Sequence, residues 1–250
     1  MSKSFQKQVM RTSNARAKSV LATLVISLSA VSANAFADTS LSIEPYKATY
    51  TAYKWGDDVG QASIELSQLG EEKYSLIYTS KVSKFFLSDK RSEHSIFLIQ
   101  GDNIVPSEYY YSRSGTGPDK SLEVSFSHQG NGKITVDNGN AFEWDGEFDN
   151  QIYRLDIAKQ LAKGETSLTY DFINYRGQRR QYGVEVVDNE TLKLPYGDLK
   201  TVKVKLIRDS KKRETFAWFA PSLDYALVRL QQFKEGEEQG DIKLKAFETL

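Results

Sequence analysis

Apolar and polar residues alternate with a period of two through most of this chain after residue 45. Leu122, Val124 and Phe126 alternate with Glu123 and Ser125; Val202, Val204 and Leu206 alternate with Thr201, Lys203 and Lys205; Ile242 and Leu244 alternate with Lys243 and Lys245. A period of two puts one apolar face on each segment, the mark of half-buried antiparallel strands. Similar runs cover 46–54, 59–69, 73–82, 93–99, 105–113, 133–137, 167–175, 181–187, 213–219 and 226–233. Clusters rich in turn-forming residues separate them, among them Gly56-Asp57-Asp58, Gly101-Asp102-Asn103 and Asn131-Gly132. The last is a strong hairpin signal. The expectation is an all-β, mainly antiparallel fold, with a strongly curled sheet that is half-barrel or barrel-like.

One segment departs from this period. Asp149 to Lys163 lacks Gly and Pro and places Ile152, Leu155, Ala158 and Leu161 every third residue, with Tyr153 and Ile157 widening the stripe. This predicts one amphipathic helix near residues 149–163, with Asp149 as N-cap and Gly164 as the C′ stop. A single helix between two blocks of strands is expected to plug or cover one opening of the sheet.

The N-terminus carries an address. Residues 1–37 hold five basic residues and no acidic one, then an apolar run from Val20 to Val31, then Ala33-Asn34-Ala35-Phe36-Ala37. This is the layout of a secretory signal peptide, with cleavage expected after Ala35 or Ala37. The run falls short of the roughly 20 apolar residues a spanning helix needs. Residues 38–250 are then expected to form a single β-rich periplasmic domain with no integral membrane span. Basic and acidic residues balance at 33 each, so loss of the signal segment leaves a mildly acidic domain, unlike a nucleic-acid binder. The chain has no cysteine, which excludes disulfides, thiolate metal sites, a cysteine nucleophile and lipidation at the cleavage site.

No catalytic set emerges. His94 and His128 have no partner at metal-ligand spacing, and no serine sits in a G-x-S-x-G turn. Asp145, Glu147 and Asp149 around Trp144 read as a polar loop leading into the helix. Arg176-Gly177-Gln178-Arg179-Arg180 has the composition to grip a phosphate or an anionic lipid headgroup, although a solvated hairpin turn is the commoner meaning of such a run. Neither a metal nor any other cofactor is expected. Aromatic clustering is more informative: Tyr109-Tyr110-Tyr111, Lys84-Phe85-Phe86-Leu87 and Trp218-Phe219-Ala220-Pro221 either interdigitate as core or line a hollow.

Four motifs recur together: Pro106-x-x-Tyr109-x-Tyr111-x-Arg113-Ser114-Gly115, Leu194-Pro195-Tyr196-Gly197, Trp218-x-Ala220-Pro221-x-Leu223-Asp224-Tyr225-x-x-Val228-Arg229, and the opening Tyr46-x-x-x-Tyr50. In this combination the chain resembles a bacterial exported family, domain of unknown function 3108. The resemblance implies an antiparallel β-rich periplasmic protein and carries no activity. Arg113 and Arg229 lie in aromatic or apolar strands and need carboxylate partners, for which Glu108 and Asp224 are the nearest in sequence.

Aromatic density without a catalytic set leads to one expectation: a non-enzymatic binding or carrier protein for an apolar or amphiphilic envelope ligand, a lipid or glycan. Tyr109, Tyr111, Arg113, Trp218, Tyr225 and Arg229 are its candidate ligand-binding residues. The alternative is a structural or partner-binding envelope protein that uses a strand edge or an aromatic patch.

Overall fold

The structure, a computed structural model, describes residues 43–210 and 212–250. The signal segment expected over residues 1–37 lies outside them. Fifteen strands form one sheet. In chain order they are β1 (Tyr46–Lys54), β2 (Asp57–Gln68), β3 (Lys73–Lys84), β4 (Leu87–Gln100), β5 (Asn103–Gly115), β6 (Lys120–Ser127), β7 (Lys133–Val136), β8 (Ala141–Glu143), β9 (Phe148–Asp149), β10 (Ser167–Ile173), β11 (Arg179–Leu194), β12 (Gly197–Ile207), β13 (Arg213–Ala220), β14 (Ala226–Lys234) and β15 (Glu237–Thr249). The helix α1 (Tyr153–Ala162) separates β9 from β10.

The sheet runs β8 to β1 and then β15 to β9, so two meanders join where the first long strand pairs with the last. All pairings are antiparallel except β9 with β10. The sheet is curled but not closed. Its free edges approach through side chains: Asn140 Nδ2 donates to the Gly177 carbonyl at 3.2 Å, and Arg179 donates to the Glu143 carbonyl at 2.6 Å. Tyr109, Tyr111, Leu122, Val124 and Val136 of one meander form a buried cluster with Ile173 of the other.

Curvature has local causes. Extra residues interrupt the ladders at Thr49/Tyr50, Ile96/Phe97, Val186/Asp188 and Trp218/Phe219, and each such bulge bends and twists its strand. At Gly60, φ is +147° and an added Cβ would lie 2.1 Å from the Lys81 carbonyl oxygen, so only glycine lets β2 and β3 approach so closely there. The β1–β2 connection is a two-residue turn in which Trp55 and Gly56 both have positive φ, the twist-matched hairpin geometry.

Alternation sets the faces. Ala48, Ile64, Tyr78, Glu93, Tyr111 and Leu122 form one continuous row across six paired strands on the concave side. The main core lies on that side around Tyr50, Leu66, Phe97, Phe172, Val204 and Leu244, and α1 packs into it through Ile152, Tyr153, Ile157 and Leu161. Each such side chain contributes roughly 1.5–3 kcal/mol on burial, which is what holds a ten-residue helix that is too short to persist alone.

The expected helix is present, but it begins later than the sequence suggested. Asp149 caps the preceding turn, its Oδ1 accepting the N–H groups of Gln151 at 2.7 Å and Ile152 at 3.0 Å. Gly164 is the C′ residue: its N–H reaches the Leu161 carbonyl and that of Glu165 reaches Gln160, the paired bonds of a Schellman stop. Lys159 and Lys163 both pair with Asp102 at the tip of the β4–β5 hairpin, tethering the helix across one end of the sheet.

Candidate ligand-binding hollow

Antiparallel pairing sends the chain reversals to two opposite ends. At the helix end lie the starts of β1, the β4–β5 turn and the β13–β14 reversal. At the other lie the β1–β2, β3–β4, β12–β13 and β14–β15 turns. Between them the core fills the concave face only in part. A first hollow of about 540 Å³ lies beneath α1, walled by Ile64, Leu76, Leu155, Ala158, Phe219 and Leu227, with Tyr225 and Phe247 also on it. A second of about 400 Å³ adjoins it at Ile64, Arg154 and Leu227. A third of about 590 Å³ adjoins the second at Tyr78, Arg91, Tyr175 and Arg213 and reaches the far end.

The first hollow owes its shape to the reversal between β13 and β14. Pro221 opens a single 3₁₀ turn, Pro221–Leu223, and Asp224 and Tyr225 then take left-handed backbone at φ 49° and 56°. Two successive non-glycine residues in that region are unusual. The Tyr225 N–H bonds back to the Ala220 carbonyl at 3.0 Å, which holds the reversal and brings Tyr225 to the hollow's wall.

The second hollow is electrostatically distinct. Arg91, Arg154, Arg176, Arg180, Arg208 and Arg213 line it, against one carboxylate, Glu93. Glu93 is buried, and its Oε2 accepts from the Tyr109 hydroxyl at 2.6 Å and from Asn150 Nδ2 at 2.6 Å. Arg91 pairs with Asp89 at 2.8 Å. The Arg91 and Arg113 guanidiniums beside Asp89 hold its carboxyl below the usual range against the opposing effect of its partial burial. The Arg208 guanidinium stacks over Tyr182 at 4.5 Å, and its buried Nε has no acceptor.

The candidate residues read from the sequence fall in three places. Tyr225 lines the first hollow and Arg113 the third. Tyr109 and Tyr111 are buried in the cluster that joins the two meanders. Trp218 and Arg229 are cross-strand neighbours outside all three hollows: the Arg229 guanidinium lies 4.6 Å over the indole, and Trp218 Nε1 donates to Glu190 at 2.8 Å. The arginine partners differ from those nearest in sequence. Arg113 pairs with Asp89, not Glu108, and Arg229 binds Asp241 through two bonds of 2.9 and 2.8 Å, not Asp224. The correct partners sit on the adjacent strands β4 and β15. The histidines make structural contacts: His94 Nε2 meets the Ser75 hydroxyl at 2.9 Å, and His128 Nε2 donates to the Pro106 carbonyl at 2.6 Å. Neither lines a hollow, and among the described residues no three His, Asp or Glu side chains gather as a metal set.

Four arginines of the second hollow escaped selection, yet the strands carry their signal. Arg208 continues the inward parity of Val204 and Leu206; Arg213 shares that of Thr215 and Ala217; Arg91 shares that of Glu93, Ser95 and Phe97. Arg154 sits on α1 beside the apolar stripe.

These features define a β-fold class: a curled, mostly antiparallel half-barrel, helix-covered at one end, with an interior hollow. The chain belongs to the family described as Protein of unknown function (DUF3108), whose model matches residues 45–242. No curated protein matches it in sequence. Among solved structures, it is similar to a β-barrel-like protein of a domain of unknown function, DUF1849, from Brucella abortus: 8% identity, TM-score 0.59, covering 84% of this chain and 100% of that one. That likeness concerns the fold alone. Weaker matches are a protein described as exported, with a YmcC-like fold, from Bacteroides fragilis (14% identity, TM-score 0.34, 83% and 97% covered) and one described as a lipoprotein from Parabacteroides distasonis (13%, 0.34, 82% and 96%). Among the described residues no helix is long and apolar enough to cross a membrane.

Proposed function

We propose that this protein works in the periplasm as a non-catalytic binding or carrier protein that holds an apolar or amphiphilic envelope ligand, a lipid or lipid-linked glycan, within the curled sheet. The observation that carries this is the hollow of about 540 Å³ beneath α1. Protein interiors normally close-pack. Here Ile64, Leu76, Leu155, Phe219 and Leu227 belong to the main core yet also wall an open space. The volume falls within the roughly 300–1,000 Å³ typical of small-molecule sites. An alkyl chain seated there removes apolar surface from water at about 25 cal/mol per Å².

A second reading draws on a different observation. At the opposite end the hairpin tips expose Phe85, Phe86, Leu87 and Trp55, at 91%, 101%, 62% and 62%. Four large apolar side chains exposed on neighbouring tips favour a partner-binding surface.

Native mass spectrometry of the protein purified from the periplasm, with lipid extraction of the same sample, separates the readings. A stoichiometric adduct that is lost on denaturation supports the carrier. A clean apo mass under gentle conditions, with a stoichiometric envelope protein retained, supports the partner-binding surface and refutes the carrier.

A further inference from the structure

The balance of charge around the second hollow is unlike that of the chain. Acidic and basic residues are equal in number overall, and surface charges of both signs normally intersperse. Here six guanidinium groups meet one carboxylate. They come from distant parts of the chain: Arg91 from β4, Arg154 from α1, Arg176 and Arg180 from the start of β11 and the turn before it, and Arg208 and Arg213 from either side of the β12–β13 turn.

Their internal partners do not neutralise them. Among the described residues, Arg91 alone of the six has a carboxylate at ion-pair distance. Arg154 and Arg180 donate to the neutral amides of Gln151 at 2.8 Å and Gln178 at 2.6 Å. Arg176 and Arg208 lie over the rings of Tyr175 and Tyr182. Glu93, the one acid on this wall, is already engaged by Tyr109 and Asn150. A guanidinium keeps its charge at any physiological pH and presents a planar fork of donors suited to oxyanions. Like charges gathered around one hollow repel, and an anion placed among them relieves that repulsion while satisfying donors such as the buried Arg208 Nε.

We infer that this hollow is an oxyanion site, and that the ligand's polar head carries phosphate or a comparable oxyanion seated between Arg91, Arg154, Arg208 and Arg213. The inference rests on the carrier reading and adds the charge of the headgroup to it. The two hollows adjoin at Ile64, Arg154 and Leu227, so an alkyl chain beneath α1 places its head among the arginines.

The test uses the delipidated full domain and three probes: dodecyl phosphate, dodecyl maltoside and inorganic phosphate, each titrated calorimetrically at low and high salt. The expected result is dodecyl phosphate at least tenfold tighter than the maltoside, weakening as salt rises. Arg208→Gln and Arg213→Gln, checked for a native circular dichroism spectrum and thermal midpoint, are each expected to weaken dodecyl phosphate about tenfold and leave the maltoside unchanged. Two variants on different sides of a turn guard against one misfolding. Equal affinity for both detergents, or an equal loss of both in the variants, overturns the oxyanion site and leaves the carrier standing. Binding of inorganic phosphate as tight as that of dodecyl phosphate supports the arginine site but identifies a free oxyanion as its occupant and refutes the carrier. Binding of none of the three overturns both.

Discussion

Replacing Asp149 by asparagine should make the protein more stable at neutral pH, by a margin that shrinks steadily as pH falls. The Asp149 side chain is fully buried, and burial pushes its carboxyl up from 3.8 to about 6, against the opposing effect of the Ile152 and Gln151 N–H groups. Its Oδ2 has no hydrogen-bond partner. The folded state therefore holds the proton more tightly than the unfolded chain does. The stabilisation from that proton is fully present below 3.8 and is lost as pH rises through about 6. A shift of about two units corresponds to about 3 kcal/mol. Asparagine is neutral throughout and keeps an oxygen for the Gln151 and Ile152 N–H groups. The assay is urea unfolding followed by tryptophan fluorescence, wild type against Asp149→Asn, at several pH values from 4 to 7.5. Asp89, Asp102 and Glu190, whose carboxyls are held low by basic or hydrogen-bonding partners, lose stabilisation in acid in both proteins and cancel in the difference. The variant's advantage should grow from about 0.5 kcal/mol at pH 4 to about 3 kcal/mol at pH 7.5. A difference independent of pH, or one that grows toward acid, refutes the reasoning.

Three other outcomes are expected. Gly60→Ala should destabilise by about 2 kcal/mol or more in urea unfolding, because φ is +147° and the new methyl meets the Lys81 carbonyl. Arg229→Ala should cost about 2–3 kcal/mol, since it strips two bonds from the buried Asp241 while Lys243, at 3.5 Å, compensates in part. Phe85→Ser with Phe86→Ser should leave the thermal midpoint unchanged, because both rings are already in water; if the tips form an interface, the double variant loses the envelope partner that wild type retains in affinity capture.

The fold was legible because half-buried strands advertise themselves. Leu122, Val124 and Phe126, read as inward, are buried, and Glu123 and Ser125 between them are exposed. Strand length was less legible. Alternation points to a strand over 181–187, but β11 spans Arg179–Leu194, because the bulge at Val186/Asp188 shifts the parity. β8 and β9, of three and two residues, are too short to show a period at all.

The site was legible only in part, for a related reason. Tyr225 is a candidate through the motif Trp218-x-Ala220-Pro221-x-Leu223-Asp224-Tyr225, and it lines the first hollow. The partners of Arg113 and Arg229 were not readable, because a cross-strand neighbour depends on strand order, which no local pattern encodes. The arginine-lined hollow was hidden in the same way. Arg91 and Arg213 are charged residues at inward positions of alternating strands, Arg208 follows β12 directly, and only the curl of the sheet brings them to one space.

Filling the hollow beneath α1 tests whether it holds the ligand. Ala158 projects from α1 onto that hollow. Ala158→Trp places an indole in the space without removing any existing contact. Stoichiometric uptake of the apolar reporter N-phenyl-1-naphthylamine, followed by its fluorescence, should fall at least tenfold in the variant while its thermal midpoint stays level or rises. Undiminished uptake by a variant that is folded and thermally unchanged would place the ligand elsewhere and contradict the account.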